Sequence, residues 1–441
     1  MELDLWRIAI IVATFAVSFG FLKKAYERLG QQQQLKSLPP GDMGWPLIGN
    51  TWSFIRAYKS QNPESFINNL KKRYGKTGIY KTHLFGNASI IVCSAELCRK
   101  VLTDDNNFQW GYPVSNLILG DHVPFDYISS HKRLHRLLTT ALNQHQPPSS
   151  HLGTIEKIVI NTLEEWSKMK EPILFVPEVN KFVFKLIIAI LLGSGTDDTQ
   201  IASMEEYYRK VYHGLHTTPI NIPGFPYHRA VQARKVLANK IRGVLGERRE
   251  RRCNDPNPNT GIIDFIEKAD FEDGRAMNHE LLVGLLIGLF IAARETTSRT
   301  AIWATIHLHN HPRLLHKAKE EQEEIVKRRP SSQKGYLIPQ GWKVLVWTSA
   351  VHMDPEIYPN PNQFLPSRWD DFIPKAGAFL PFSTGSSTCP GADLAKLEIT
   401  IFLHYFLLNY KLEQLNPGGP VNHFPSPDPA DNCPAKIIKI R

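Results

Sequence analysis

Pro381-Phe-Ser-Thr-Gly-Ser-Ser-Thr-Cys389-Pro-Gly-Ala-Asp-Leu-Ala-Lys396 delivers one cysteine, ringed by small residues, to the start of an apolar helix. The amides that open a helix have no partner inside it. With the helix dipole they favour an anion such as a thiolate, the form of cysteine that binds metal. Pro390 suits the first helical position, where its missing N–H is no loss. Gly385 and Gly391 permit tight turns and let a large flat ligand approach the main chain, and Phe382 is placed to shield the sulfur. From Leu394 to Tyr410 the chain is apolar on nearly every side, which predicts a helix buried in a large core and a rigidly held Cys389. One cysteine among five is by default an inert core residue; the order of Phe382, Gly385, Cys389 and Gly391 argues for a metal ligand instead.

A second segment carries polar groups into an apolar helix. Leu281 to Ala293 is an unbroken apolar run, too short to cross a bilayer core of about 30 Å, and predicts a core helix that continues through Trp303 and His307 to a stop at Pro312. Arg294, Glu295, Thr296 and Thr297 follow the run directly. A carboxylate and a hydroxyl in the middle of a buried helix are expensive unless paired or used. Thr296 is spaced to bond back to the carbonyl of Ala292, and small Ala292 and Ala293 leave room for a ligand beside it.

These segments resemble the cytochrome P450 family, the first its haem-ligand loop and the second its oxygen-activation motif. The resemblance covers nearly the whole chain. It implies a mainly α fold with small β-sheets, the P450 fold, and haem b (iron protoporphyrin IX) ligated by Cys389. Phe382, Gly385, Gly391 and Ala292 would lie against the haem, His131 and His135 would reach its propionates from one helix face, and Glu295 and Thr296 would relay protons to iron-bound dioxygen. The implied electron donor is a membrane-bound NADPH-cytochrome P450 reductase. Four further stretches, Leu38 to Gly49, Gly78 to Gly86, Tyr358-Pro-Asn-Pro and Asp393 to Ile399, resemble the plant subfamily of ent-kaurenoic acid oxidases and beta-amyrin oxidases. That likeness implies an apolar polycyclic terpenoid, diterpenoid or triterpenoid, as substrate.

The chain departs from the family pattern in four places. Ser387 and His135 stand where the family usually carries arginines toward the haem propionates, and Ala293 stands where it usually carries glycine. Phe364 to Trp369 resembles the loop whose arginine, here Arg368, joins a buried ion pair with a Glu-x-x-Arg helix. That helix is missing: Glu-x-x-Arg occurs at Glu96–Arg99, Glu206–Arg209 and Glu272–Arg275, all before the oxygen helix. The chain instead runs from a charged helix, Leu314 to Arg329, through Lys334-Gly335 into a hairpin-like strand pair over Tyr336 to Trp347. The fold is therefore expected to be incomplete, with Arg368 a buried orphan at about 3–5 kcal/mol. Two rival readings remain: a truncated relative that fails to bind haem, and a cysteine hydrolase pairing Cys389 with His404.

At the amino terminus, Ile8 to Leu22 is apolar and is followed by Lys23, Lys24 and Arg28. This predicts a single-pass anchor over residues 1–24 with the rest of the chain on the cytoplasmic side, a linker and Pro-rich hinge over 25–50, and one haem-thiolate domain over 51–441. For this family such an anchor implies the endoplasmic reticulum membrane. Five cysteines without a CxxC fit a reducing compartment. The net charge of +10 is unaccompanied by any nucleic-acid-binding motif, so no nucleic-acid partner is expected, and Arg248, Arg249, Arg251 and Arg252 predict a solvated basic surface. A small sheet is expected from Ile79 to Phe85 and Ala88 to Val92, turning at Gly86-Asn87.

Overall fold

The computed structural model describes residues 38–45, 48–108, 128–142, 151–193, 195–254, 261–268, 279–311, 314, 338, 341–370, 374–424 and 426–440. The expected anchor, the first part of the linker, nearly all of the charged helix after Leu314 and the junction at Lys334-Gly335 lie outside these residues.

The described chain opens with helices α1 (Thr51–Lys59) and α2 (Glu64–Tyr74), the hairpin of β1 (Ile79–Leu84) and β2 (Asn87–Val92), and α3 (Ala95–Thr103). The hairpin turns on Phe85 and Gly86, one residue earlier than expected. Both have positive φ, +50° and +80°, as a two-residue turn matched to the strand twist requires, and the Phe85 amide is held by the Thr51 hydroxyl at 2.8 Å.

Helices α4 (Ile128–Thr140), α5 (Leu152–Lys168), α6 (Phe175–Leu192), α7 (Asp198–Leu215), α8 (Pro226–Asn254), α9 (Ile262–Lys268) and α10 (His279–Asn310) come next, with the short strand β3 (Ile173–Leu174) ahead of α6. Helix α6 is apolar almost all round and almost wholly buried, so it forms the middle of the main core. Helix α7 starts on a capping box, in which Asp197 accepts from the amides of Thr199 and Gln200 and Gln200 returns a bond to the Asp197 amide.

The rest comprises β4 (Lys343–Val346), α11 (Thr348–His352), α12 (Ala392–Asn409), β5 (Tyr410–Gln414), a short β6–β7 hairpin (Val421–Asn422, Asp428–Pro429) and β8 (Pro434–Lys439). The strand pair expected over Tyr336 to Trp347 is, among the described residues, one strand. It joins β2 in parallel, with Ser89 opposite Lys343 and Val92 opposite Val346, and completes a sheet in the order β1-β2-β4. A second sheet has the order β3-β8-β5.

Helices α5, α6, α7, α8, α10 and α12 enclose one large core, with Phe175, Phe184, Phe290, Phe402 and Phe406 among its fully buried side chains. A smaller cluster of Phe66, Ile67, Tyr80, Ile91 and Trp347 joins α1 and α2 to the first sheet. The apolar run Leu281 to Ala293 belongs to a helix long and apolar enough to span a bilayer, but that helix is largely buried inside the protein and serves as its central strut.

The arginine cluster of α8 is only in part the expected solvated patch, since Arg251 is exposed and Arg249 half-exposed. Arg248 is buried against Asp264 of α9, Arg249 pairs with Glu267, and Arg251 reaches the carbonyl of Gly195. Asp264 also accepts the Gly261 amide at 2.7 Å at the start of α9, while the Arg248–Asp264 and Arg249–Glu267 pairs pin α9 to α8. The side chain of Arg252 lies outside the described residues.

Candidate active site

The cysteine loop rests on its own backbone. Gly385 to Ser387 form a single 3₁₀ turn, the Cys389 amide donates to the Phe382 carbonyl at 2.9 Å, and the Thr388 hydroxyl donates to the Gly385 carbonyl at 2.8 Å. Gly385 has φ +67°, and a Cβ there would meet the Leu102 carbonyl oxygen at 2.6 Å, so the glycine serves close packing on α3. Gly391 is different: its φ is −94° and an added Cβ would meet nothing. It is the N-cap of α12, which begins at Ala392, so Pro390 precedes the helix instead of opening it. The thiol of Cys389 is free and exposed. Phe382 is half-buried and carries the Lys396 ammonium 5.3 Å from its ring centre.

Helix α12 buries Glu398, Ile401, Phe402, Phe406 and Leu407 and leaves much of its other face half-exposed, so it is less enclosed than its composition suggested. It packs against α10. Glu398 is buried between them in an apolar setting formed by Phe182, Val183, Leu186, Ala301 and Phe402, with the Thr297 hydroxyl as its hydrogen-bond partner. Burial pushes its carboxyl up to about 8.

On α10 the expected Thr296 hydroxyl to Ala292 carbonyl bond is present at 2.8 Å. Thr296 and Ala292 are exposed, whereas Arg294, Glu295, Thr297 and Ser298 are buried. One side of this otherwise enclosed helix is thus open, and it carries small Ala292 and the hydroxyls of Thr296 and Thr300. Glu295 points the other way. Its Oε1 receives the Tyr208 hydroxyl of α7 at 2.8 Å and an N–H of Arg294, and its Oε2 receives Nη1 of Arg299 at 2.9 Å. Sequence reading picked out the carboxylate and missed its holders. Arg299, four residues on in an apolar helix, was the available signal; nothing local marks Tyr208.

His135 of α4 reaches the loop directly, its Nε2 on the Thr388 carbonyl. The His131 side chain, the other half of the expected pair, lies outside the described residues. Ser386 of the loop donates to Asp105, a contact with no sequence signal. Arg368 corrects the expectation of a buried orphan charge. It is half-exposed, and its guanidinium donates to the carbonyls of Pro359 (2.9 Å), Asn360 (3.0 Å), Gln363 (2.8 Å) and Leu365 (3.2 Å). Backbone carbonyls and partial exposure replace the carboxylate, so no desolvated charge is left unmatched.

His404 is exposed on α12, about 18 Å of helix axis beyond Ala392. It is not a general base for Cys389, and the hydrolase reading fails on that spacing.

The donor set decides what kind of metal fits. Among the described residues no group of three or more histidine, cysteine and carboxylate side chains converges as for a bare ion. A lone exposed thiol suits a metal that brings its other ligands with it, as in a porphyrin.

The comparisons agree with this geometry. The cytochrome P450 family model matches residues 39–334 and 329–430, and the chain belongs to that family. It is a cytochrome P450 monooxygenase, and haem is the cofactor of its family. The two matched stretches meet where the Glu-x-x-Arg helix was expected and not found. Similar curated proteins include the beta-amyrin 11-oxidase of Glycyrrhiza uralensis, 46% identical over 91% of this chain and 91% of that protein, and the ent-kaurenoic acid oxidase 2 of Arabidopsis thaliana, 41% identical over 99% of this chain and 98% of that protein. The 7,8-epoxymelianol synthase of Ailanthus altissima is 43% identical over 99% and 97%. A retinoic-acid-bound cyanobacterial P450 structure superposes with a TM-score of 0.77 at 21% identity, covering 91% of this chain and 99% of its own, which shows the same fold.

Proposed function

We propose that this chain hydroxylates a bulky, apolar polycyclic terpenoid at the cytoplasmic face of the endoplasmic reticulum, with haem b held by Cys389 and electrons supplied from NADPH by the membrane-bound P450 reductase. The observation that carries the reading is an exposed Cys389 thiol just ahead of α12, together with an exposed strip that includes Ala292 and Thr296 on α10, the buried helix against which α12 packs. The names of the relatives supply the substrate class: ent-kaurenoic acid is diterpenoid and beta-amyrin triterpenoid, and both are bulky and apolar. The domain boundaries that accompany this reading are an anchor over residues 1–24, a linker over 25–50 and the haem-thiolate domain over 51–441.

When bound, the haem supplies activation of dioxygen. The chain's own residues have separable tasks. Cys389 would ligate the iron through its sulfur, with its amide fixed on Phe382. His135, engaged with the Thr388 carbonyl, would hold the loop, leaving less of its donor capacity for a propionate than an arginine would offer. Gly391 and Ala292 would border the flat cofactor without side-chain bulk. The Thr296 hydroxyl donates to Ala292, which leaves its oxygen free to accept a proton donor from the open side. Glu295 would hold the next proton, and must release a partner before it can turn toward Thr296.

A second reading, a membrane-anchored relative that does not retain haem, is favoured by the split of the family match into two stretches that overlap at residues 329–334, together with Ser387 at an arginine position. One experiment separates the two. Purified full-length protein supplied with hemin, reduced and exposed to carbon monoxide, is expected to give a thiolate-type Soret band. Material that stays colourless would end the oxygenase reading.

A further inference from the structure

Five charged side chains of alternating sign cross the interior from α7 to the β6–β7 hairpin, and Glu295 is the middle one. Glu205 meets Arg294 at 3.5 Å, Arg294 meets Glu295, and Arg299 meets both Glu295 and Asp428 at 2.9 Å. Asp428 takes Arg299 in a fork, through Nε at 2.9 Å and Nη2 at 2.9 Å. The remaining nitrogen, Nη1, serves the Glu295 carboxylate at 2.9 Å and the Glu295 carbonyl at 3.1 Å. A guanidinium is planar, so a fork on one carboxylate fixes where its third nitrogen lies. The hairpin that carries Asp428 is lightly covered. Its exposed Phe424 meets ring edges, of Tyr58 at 6.2 Å and of His216 at 6.5 Å.

We propose that Arg299 is a positioning residue that keeps the Glu295 carboxylate turned away from Thr296, and that Asp428 sets this hold by orienting the guanidinium. Displacement of the β6–β7 hairpin then loosens the Arg299 hold on Oε2 of Glu295, while Tyr208 and Arg294 remain on Oε1. A ligand pressing on Phe424 would be coupled in this way to the acid. The inference rests on the reading of Glu295 as the acid of the proton route. Its test reads the carboxylate itself, so colourless protein would sink the oxygenase reading without touching this one.

The experiment uses full-length protein as purified, and takes the infrared carboxylate band of Glu295 as the difference between each variant and the same variant carrying Glu295→Gln. Arg299→Gln is expected to shift the band, and Asp428→Asn to shift it the same way by less. Arg299→Lys is expected to restore part of the shift, since a lysine keeps the charge and loses the fork. Amide exchange in residues 421–429 is expected to rise about tenfold in both Arg299→Gln and Asp428→Asn. An unmoved Glu295 band with faster hairpin exchange would mean that Arg299 merely ties the hairpin to α10, which overturns the proposal. A band moved by Arg299→Gln and untouched by Asp428→Asn overturns the hairpin link. Asp428 is partly exposed, so its variant keeps the test open where an Arg299 variant does not fold.

Discussion

Glu295 and Cys389, which the proposed function joins in one site, are held in opposite ways. Around Glu295, side chains supply the contacts: Arg294 and Arg299 from its own helix α10, and Tyr208 from α7. Around Cys389, the main chain does the holding, and the side chains that reach the loop come from segments far away in sequence, as Asp105 and His135 do. A site carried by helices keeps its partners when a neighbouring segment is lost. A site carried by a loop depends on distant charges, and it is there that Ser387 and His135 replace the family's arginines. Arg368 shows how the protein absorbs such a loss: it trades a carboxylate for four carbonyls near water.

The contrast breaks most sharply at the sulfur. Cys389→Ala is expected to abolish the thiolate-type band of the reduced, carbon monoxide-bound protein completely, while far-ultraviolet circular dichroism stays unchanged because the exposed thiol supports no packing. Retention of that band would show that another residue holds the metal. The next effect is the pH dependence of Glu398. Burial raises its carboxyl from an ordinary 4.5 to about 8 in the folded protein. Below 4.5 both states are protonated; between there and about 8 the unfolded chain releases a proton that the folded chain keeps, so stability falls as pH rises. Glu398→Gln keeps a hydrogen-bonding partner for Thr297 and cannot ionise. Urea midpoints measured at about pH 5 and about pH 8 should converge in that variant, whereas the parent should lose several kcal/mol across the interval. A parent midpoint flat over this range would refute the buried neutral carboxyl.

Arg368 sharpens the comparison at a smaller scale. Arg368→Ala removes donors to four carbonyls that water can partly serve, so the expected loss is about 1–2 kcal/mol. A loss of about 3–5 kcal/mol by denaturant titration would restore the picture of a desolvated charge with a hidden partner.

The helical half of the site was legible because its logic is periodic. An apolar run ending in Ala292-Ala293-Arg294-Glu295-Thr296 fixes a buried helix, an i to i−4 hydroxyl bond and a carboxylate in need of partners, and each of these is present. What closes over that helix was not legible. Tyr208 is 87 residues away from Glu295 in sequence and Asp428 is 129 away from Arg299, and their approach follows from how α7 and the hairpin pack. The loop was legible as a motif, and its mechanics only in part. Gly385 serves contact with α3, Gly391 meets no atom, and the helix starts two residues beyond Pro390. Local spacing cannot show which of two glycines is pressed by another backbone.

The smallest stability effect and the cleanest functional one should coincide at Thr296. Its hydroxyl lies on the open side of α10 and bonds to the Ala292 carbonyl, which also serves the helix, so Thr296→Val is expected to change stability by less than about 0.5 kcal/mol. The volume of the side chain is nearly kept and ligand entry is unaltered. In haem-loaded protein with a reductase, the share of NADPH electrons recovered as hydroxylated terpenoid is expected to fall several-fold while NADPH consumption persists, the difference appearing as hydrogen peroxide. Full coupling in Thr296→Val would mean that the hydroxyl is only a helix back-bond. Glu295 would then have no partner on the open side to hand a proton to, and the two halves of the site would be neighbours in space without a shared task.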